Sequence, residues 1–410
     1  MEHSKSRLDL ADINDQERLY LLTNTLLKIP GLSLDELYQI ARNKETPLEF
    51  KIAIKLFESK KFLIENKQPV KIGVLFAMWG EQNRLLPKTE NNPNGEDSLR
   101  VKLQQLDWAA QDSTIEWTLY AVDDGCPHGS GRIASEITAN SPMEKLVKIL
   151  HLAEALPQMH GPLAGLKSAE DSRKGGAIML GALEAIKDGM DVVITTDSDN
   201  SVHLGQVGLL LKKFCCNRTR AVFGDRKDPD AVLVKEEGRW GVGIKLLRHM
   251  QRMIGYSIFS QGIYDTQAAF KLFQCDFLDK IIQNPAVYDF SYDTDWIAAT
   301  IALKEPFEKV PFAFIDSFAE SASIAQGPMT TWELLLKGLA KQVRKHQLSH
   351  NAAMAQILDE EIQSSKDLDL LINHLPPELE NISDSELGNP KIMTPEQVRT
   401  WIQLRKSHMK

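Results

Sequence analysis

The sequence predicts an α/β domain with a mainly parallel central sheet, flanked at both ends by helical segments. Three observations carry that prediction. Short apolar runs rich in β-branched residues recur between residues 70 and 226, each the length of a buried strand. Stretches with three- and four-residue apolar spacing separate them, so that strand and helix alternate. Carboxylates close two of the runs, at the strand ends where parallel sheets bind ligands.

Residues 1–68 read as a helical N-terminal extension. "ERLYLLTNTLLKI" and "PLEFKIAIKLFESKKFLIE" repeat their apolar residues with helical period, and Ser33, with Glu36 three residues on, marks a helix start. Residues 69–325 read as the α/β domain. Its expected strands are Val70 to Met78, Glu116 to Gly125, Asp191 to Asp197 and Arg220 to Arg226. "DSLRVKLQQLDWAAQ", "GGAIMLGALEAIKDG" and "GQVGLLLKKFCC" supply the intervening helices, and "NPNGED" before Ser98 is a loop. From 326 to 410 the chain returns to helix with "TTWELLLKGLAKQVRKHQ". The loop "HLPPELENISDSELGNPK" follows, and Thr394-Pro395 opens a last helix.

With 43% hydrophobic and 25% charged residues, a sizeable core is expected. The net charge of -8 gives no electrostatic case for nucleic acid as the main partner. No apolar run approaches the roughly 20 residues that cross a bilayer, and the N-terminus lacks the apolar core of a secretory signal. A cytoplasmic chain without an integral membrane segment is the expectation. Cys126, Cys215, Cys216 and Cys275 fit neither a zinc spacing nor a disulfide framework, and read as reduced thiols. The terminal helices are expected to act as packing elements, or as a surface for a second copy or another partner. The basic stripe Lys337, Lys341, Arg344 and Lys345 reads as a solvated face, with an anionic lipid or acceptor as the other possibility.

The chemistry-bearing residues cluster in a few motifs. In "AVDDG", Asp123 and Asp124 end a strand and Gly125 follows, which suits a turn approaching a ligand whose hydroxyls or base amide the carboxylates accept. An ordinary Asp-Gly turn gives the same pattern. In "SRKGGAIMLGAL", Lys174 precedes the glycines that open a helix, a place for a diphosphate, although the Walker spacing is absent. In "TTDSDNS", Asp197 and Asp199 flank Ser198 and project to one side of an extended backbone. Such a pair can hold Mg2+ or Mn2+ against substrate phosphates, or can form an Asx turn. "GIYDTQAAFKLF" contributes Asp265, Thr266, Gln267 and Lys271. "YDFSYDTDWIAATIALKEPFEKVPF" sets Asp289, Asp293 and Asp295 among aromatics, where carboxylates serve as general bases or as helix starts.

Taken in order, "FAMWGE", "VDDGC", "RKGGA", "DSDN", "GDR", "DTQAAFKLF", "YDTD" and "KVPFAF" resemble the motif series of family-2-type glycosyltransferases of the GT-A fold. That fold is the Rossmann-like architecture of nucleotide-diphospho-sugar transferases. The resemblance runs from Val70 to about Ser323 and is closest to the dolichyl-phosphate glucosyltransferase and polyprenyl-phosphate sugar transferase branch. Unlike those membrane enzymes, this chain carries no hydrophobic anchor.

The resemblance implies roles. Ala77 and Glu81 would keep contacts to the nucleotide base, and Asp123 and Asp124 would bind base and ribose. Lys174 would lie by the phosphates. Asp197 and Asp199 would hold the metal on the diphosphate, with Ser198 beside the nucleotide. Asp265 and Gln267, with Lys271, would line the donor-sugar and acceptor side, and Asp293 or Asp295 would deprotonate the acceptor. "FAMWGE" stands where the family has Pro-Ala-Tyr-Asn-Glu, "DTQAAF" has alanine for the usual glycine, and Asp295 stands for the usual glutamate. The implied function is a metal-dependent hexosyl transfer from a UDP- or GDP-sugar to a soluble acceptor hydroxyl, with inversion. Two alternatives are a nucleotide-sugar-binding regulatory protein with a decayed site and a sugar-phosphate nucleotidyltransferase. The latter's Gly-x-Gly-Thr-Arg signature is absent after the first strand.

Overall fold

The computed structural model describes residues 8–235, 241–317 and 327–407. They fall into two compact units. The first comprises Met1–Lys235, Ala268–Gln283 and Pro306–Glu320, and the second Glu236–Gln267, Asn284–Glu305 and Ser321–Lys410.

The first unit is built on a seven-stranded sheet. Its strands are β1 (Val70–Met78), β2 (Ile115–Asp123), β3 (Val147–His151), β4 (Val192–Thr195), β5 (Ala221–Asp225), β7 (Lys271–Gln274) and β8 (Phe307–Pro311). They lie in the order β3-β2-β1-β4-β7-β5-β8. Strand β7 is antiparallel to both neighbours, and the other pairings are parallel. A separate parallel pair joins β6 (Val232–Val234) to β9 (Ala313–Ile315). The expected α/β architecture with a mainly parallel sheet is therefore what the chain adopts.

Helices α1 (Ile13–Leu27), α2 (Leu34–Arg42), α3 (Leu48–Glu65), α4 (Ser98–Ala110), α5 (Ser130–Ala139), α6 (Gly175–Lys187), α7 (Val207–Asn217) and α10 (Cys275–Ile282) belong to the same unit. Ser33 caps α2, its hydroxyl accepting from the Glu36 N–H at 3.4 Å. Helices α1 and α3 are part of the sheet's core, and α2 packs against them in a separate cluster around Leu37. Leu19, Ile52, Leu56 and Leu63 share one cluster with Ile72, Val74, Phe76 and Ile194. Each such side chain contributes about 2 kcal/mol when fully buried. Ser59 fastens α3 to α7 by donating to the Gly205 carbonyl at 2.6 Å and accepting from the Gly208 N–H at 2.9 Å.

Register sets the position of the functional residues. The β1–β2 ladder runs from Val70↔Ile115 to Met78↔Asp123, so both strands end level. Strand β4 ends at Thr195, opposite Leu75, and the Thr196 N–H still donates to the Leu75 carbonyl at 3.0 Å. Asp123, Asp124, Asp197 and Asp199 thus leave the sheet at one edge, where the ladder stops and backbone polar groups become available.

The second unit is helical, with α8 (Ile244–Ile254), α9 (Tyr256–Phe259), α11 (Tyr292–Ala302), α12 (Pro328–Lys345), α13 (Ala352–Glu361), α14 (Ser365–Ile372) and α15 (Pro395–Ser407). Gln342 on α12 donates to the Ser291 carbonyl at 2.8 Å, which binds α12 to the start of α11. The basic stripe on α12 is largely paired. Lys337 meets Glu333 at 2.6 Å, Arg344 meets Asp359 at 2.6 Å, and Lys345 donates to Asn284 at 2.8 Å. The units do not follow boundaries at residues 68 and 325. Helices α1 and α3 place apolar residues in the sheet's cluster, and 236–267 and 284–305 group with the C-terminal helices. Among the described residues no helix is long and apolar enough to cross a membrane, and the four cysteines are free thiols.

Candidate active site

The two neighbouring aspartates after β2 have different environments. Asp123 is buried, and both of its oxygens are engaged locally. Oδ1 accepts from the Cys126 N–H at 2.9 Å and Oδ2 from the Gly131 N–H at 2.7 Å. It thereby shapes the turn leading into α5. Gly125 makes that turn possible at φ +72°, a region that L side chains adopt with strain. Asp124 points elsewhere. Its Oδ2 accepts from the Lys174 N–H at 2.6 Å, while its buried Oδ1 has no hydrogen-bond partner. Burial pushes the Asp124 carboxyl up to about 6, against the lowering influence of Ser172 and the Lys174 N–H.

Lys174 joins two strand ends. Its main chain binds Asp124, and its ammonium pairs with Asp197. To do both it takes φ +78° and ψ -45°, immediately before α6. Burial disfavours charge on Asp197. The Lys174 ammonium, with Arg226 and Lys102 adding to it, outweighs that and holds the carboxyl below the ordinary aspartate value. Asp199 goes the other way. Burial, then the negative charge of Asp197, raise its carboxyl to about 6 despite Arg84 and Lys102.

A buried polar frame holds the "DSDN" turn. Glu96 Oε2 accepts from the Asn200 N–H at 2.9 Å, and the Asn200 side chain donates to the Glu96 carbonyl at 3.1 Å. Glu96 Oε1 takes the Arg84 Nε–H at 3.0 Å, and Arg84 also pairs with Glu81. The fully buried Lys102 donates to the Asp199 carbonyl. Asp199 Oδ1 accepts from the Ser201 N–H at 3.0 Å, closing an Asx turn. Ser198 is buried inside that turn, and Ala77 is half-buried near the end of β1.

Among the described residues no three His, Cys, Asp or Glu side chains cluster as a protein-only metal cage. The donor set offered is the carboxylate pair Asp197 and Asp199. That set fits Mg2+ or Mn2+, which commonly take one or two carboxylates and complete their shell with water and substrate phosphates. It does not fit structural zinc.

No family model matches the sequence, and no curated protein matches it. Among solved structures, the glucosyl-3-phosphoglycerate synthase of Mycobacterium tuberculosis in complex with phosphoglyceric acid gives a TM-score of 0.45. The identity is 11%, over 78% of this chain and 86% of that one. The same enzyme in complex with Mn2+, uridine-diphosphate-glucose and phosphoglyceric acid gives 0.44, with the same identity and coverage. A further mycobacterial protein gives 0.47 at 11% identity, over 72% of this chain and 79% of its own. At that similarity no residue role passes from those proteins to this chain.

The remaining expected residues divide between the units. Lys271 opens β7 in the first unit, fully buried, and its ammonium donates to the Ala268 carbonyl. Asp265, Gln267, Asp289, Asp293 and Asp295 belong to the helical unit. There Gln267 donates to the Thr294 hydroxyl at 2.9 Å, so the "DTQ" segment touches the first turn of α11 that carries Asp293 and Asp295. Both oxygens of Asp295 are engaged: Oδ2 accepts from the Ala286 N–H at 2.7 Å and Oδ1 lies 2.7 Å from His346 Nε2. Asp289 accepts from the Ser291 N–H at 2.8 Å, and burial raises its carboxyl. Asp265 and Asp293 are buried.

Arg84, Glu96, Lys102 and Asn200 are absent from the sequence expectation. Glu96 sits in "NPNGED", which reads only as a loop, and its partner Asn200 is 104 positions away. The one local signal was the Glu81-to-Arg84 spacing, which places an acid and a base within reach of each other.

Proposed function

We propose that the chain is a GT-A-type glycosyltransferase that moves a hexose from a UDP- or GDP-sugar to an acceptor hydroxyl, with Mg2+ or Mn2+ on the diphosphate. Lys174 carries this reading. A non-glycine residue at its backbone angles costs about 1–3 kcal/mol and persists where the surroundings impose it, typically at sites of binding or catalysis. Here one strained residue ties Asp124 to Asp197 and places an ammonium next to the acidic pair. That is the arrangement a diphosphate needs, because the ammonium can exchange a carboxylate partner for phosphate oxygens.

Asp197 and Asp199 are the residues to hold the metal, which when bound neutralises charge on the departing nucleoside diphosphate. The frame of Glu96, Arg84 and Lys102 supports this by fixing the main chain of Asp199 and Asn200. Asp124, with one unpartnered oxygen, is the candidate for the ribose or base. Asp293 or Asp295, both on the first turn of α11, is the candidate base for an inverting displacement.

The test is calorimetry and turnover with UDP- and GDP-sugars in the presence of Mn2+ or Mg2+. Saturable, metal-dependent binding that Asp197→Ala and Asp199→Ala abolish in a folded chain is expected. Full donor hydrolysis or transfer by the double variant in EDTA would overturn the proposal.

A further inference from the structure

We propose that the helical unit carries a second binding site, for a neutral saccharide, in a cavity of about 600 Å3 lined by α8, α9, the start of α13 and the loop 385–390. The volume lies in the roughly 300–1,000 Å3 range of small-molecule sites. The inference stands on this cavity alone and does not depend on the glycosyl-transfer reading.

Aromatic surface is the first observation. Tyr256 and Tyr264 line the cavity with 58% and 39% of their surfaces exposed, although both carry large apolar rings. Tyr264 is held in place. Its ring stacks with Phe259 at 6.4 Å and 25°, and the Arg252 guanidinium lies 5.0 Å from its centroid. A sugar ring offers C–H faces that settle on such aromatic surfaces, and hydroxyl edges that both donate and accept.

The second observation is the polar wall. Arg252 is 6% exposed, donates from Nη2 to Asp384 at 3.0 Å, and lays its guanidinium against the Phe259 and Tyr264 rings, so it is a fixed part of the wall. Asn351 and Ser385 add groups able to donate and accept. Arg252 is paired with Asp384, and Glu386 accepts from the Ser383 hydroxyl at 2.6 Å. Arg252 is the sole Lys or Arg among the lining residues, so the wall favours a neutral polyol over a phosphorylated one.

The loop 385–390 that lines the cavity is fixed as well. The Gly388 N–H donates to His249 Nδ1 at 2.9 Å, and His249 Nε2 lies 2.9 Å from the Met393 carbonyl. Since Nδ1 accepts, the buried imidazole is neutral, and burial lowers its proton affinity further. Gly388 sits at φ +88°, and a Cβ there would lie 2.4 Å from Arg252 Cβ. Only glycine lets the loop rest on the Arg252 stem.

The experiment titrates the full chain with glucose, mannose, galactose, maltose and cellobiose, read by saturation-transfer NMR and calorimetry. At least one sugar is expected to bind saturably. Tyr256→Ala and Tyr264→Ala should each weaken that binding tenfold or more. Tyr256 is largely exposed, so its variant keeps the thermal transition of the parent and remains informative if Tyr264→Ala does not fold. Three results would each overturn the proposal: no saturable binding by any of these sugars, unchanged affinity in the Tyr256 variant, or binding of glucose 6-phosphate without binding of glucose.

Discussion

Asp123 and Asp124 are adjacent, chemically identical and both buried, yet replacing each by asparagine should move stability in opposite directions. In Asp123→Asn only one carbonyl oxygen remains to serve the Cys126 and Gly131 N–H groups, now 2.9 and 2.7 Å from two carboxylate oxygens. One charge-assisted bond is lost and one buried N–H faces an amide donor, together about 3 kcal/mol. At about 2–4 °C per kcal/mol, the melting transition falls by about 6–12 °C. Asp124 is the reverse case. Its carboxyl titrates at about 6 in the folded chain, because burial outweighs its hydrogen bonds. Between the ordinary aspartate value near 4 and about 6, the folded chain holds a proton that the unfolded chain has released. Its contribution to stability is therefore complete below pH 4 and falls by about 3 kcal/mol as the pH rises through 6. Asp124→Asn removes that loss, so variant and parent match near pH 4 and the variant is the more stable at pH 7. Urea denaturation from pH 4 to 8 without nucleotide measures both effects. A parent-like Asp123→Asn, or an Asp124→Asn that keeps the parent's slope between pH 4 and 6, would refute the reasoning.

Other expected outcomes follow from single contacts. Glu96→Ala frees the Asn200 N–H and the Arg84 Nε–H, and should raise the Mn2+ concentration for half-maximal activity at least tenfold, measured by metal titration. Gly208→Ala puts a Cβ 2.4 Å from the Ser59 carbonyl oxygen, and calorimetry should show a loss of about 2 kcal/mol. That loss comes despite alanine's advantage of about 1 kcal/mol in a helix. Asp295→Asn should cost about 2 kcal/mol in urea denaturation through its bonds to Ala286 and His346. Asp293→Asn should lower kcat by roughly 10²–10⁴ while nucleotide-sugar affinity is retained.

The strand ends were legible because buried parallel strands write themselves as apolar runs, and polar residues after them stand out. Asp124, Asp197 and Asp199 stand after such runs and Lys174 before the glycines that open α6, and Lys174 links Asp124 to Asp197. What periodicity cannot give is the partner. The helices before residue 68 have apolar faces that fit a free-standing bundle or a sheet layer equally well; the sheet takes α1 and α3, and α2 packs on those two. The direction of β7 depends on where the chain comes from, which "DTQAAFKLF" does not encode. Asp123 and Asp295 each accept from backbone N–H groups, partners that the letters around them do not name. The frame of Arg84, Glu96 and Lys102 joins positions about a hundred residues apart, beyond any local pattern.

The helical unit is threaded from three separated stretches of chain, 236–267, 284–305 and 321–410. It is therefore not a cassette. A stop codon ahead of α12 would remove Gln342 from the Ser291 carbonyl and Leu339 from its place against Gly255, while leaving α8 and α11 translated but unsupported. Grafting the C-terminal helices onto another sheet would carry over only part of their own scaffold. Variation in this unit is then confined to point changes and loop lengths, because swapping the tail would break the interior of a body whose other pieces lie upstream.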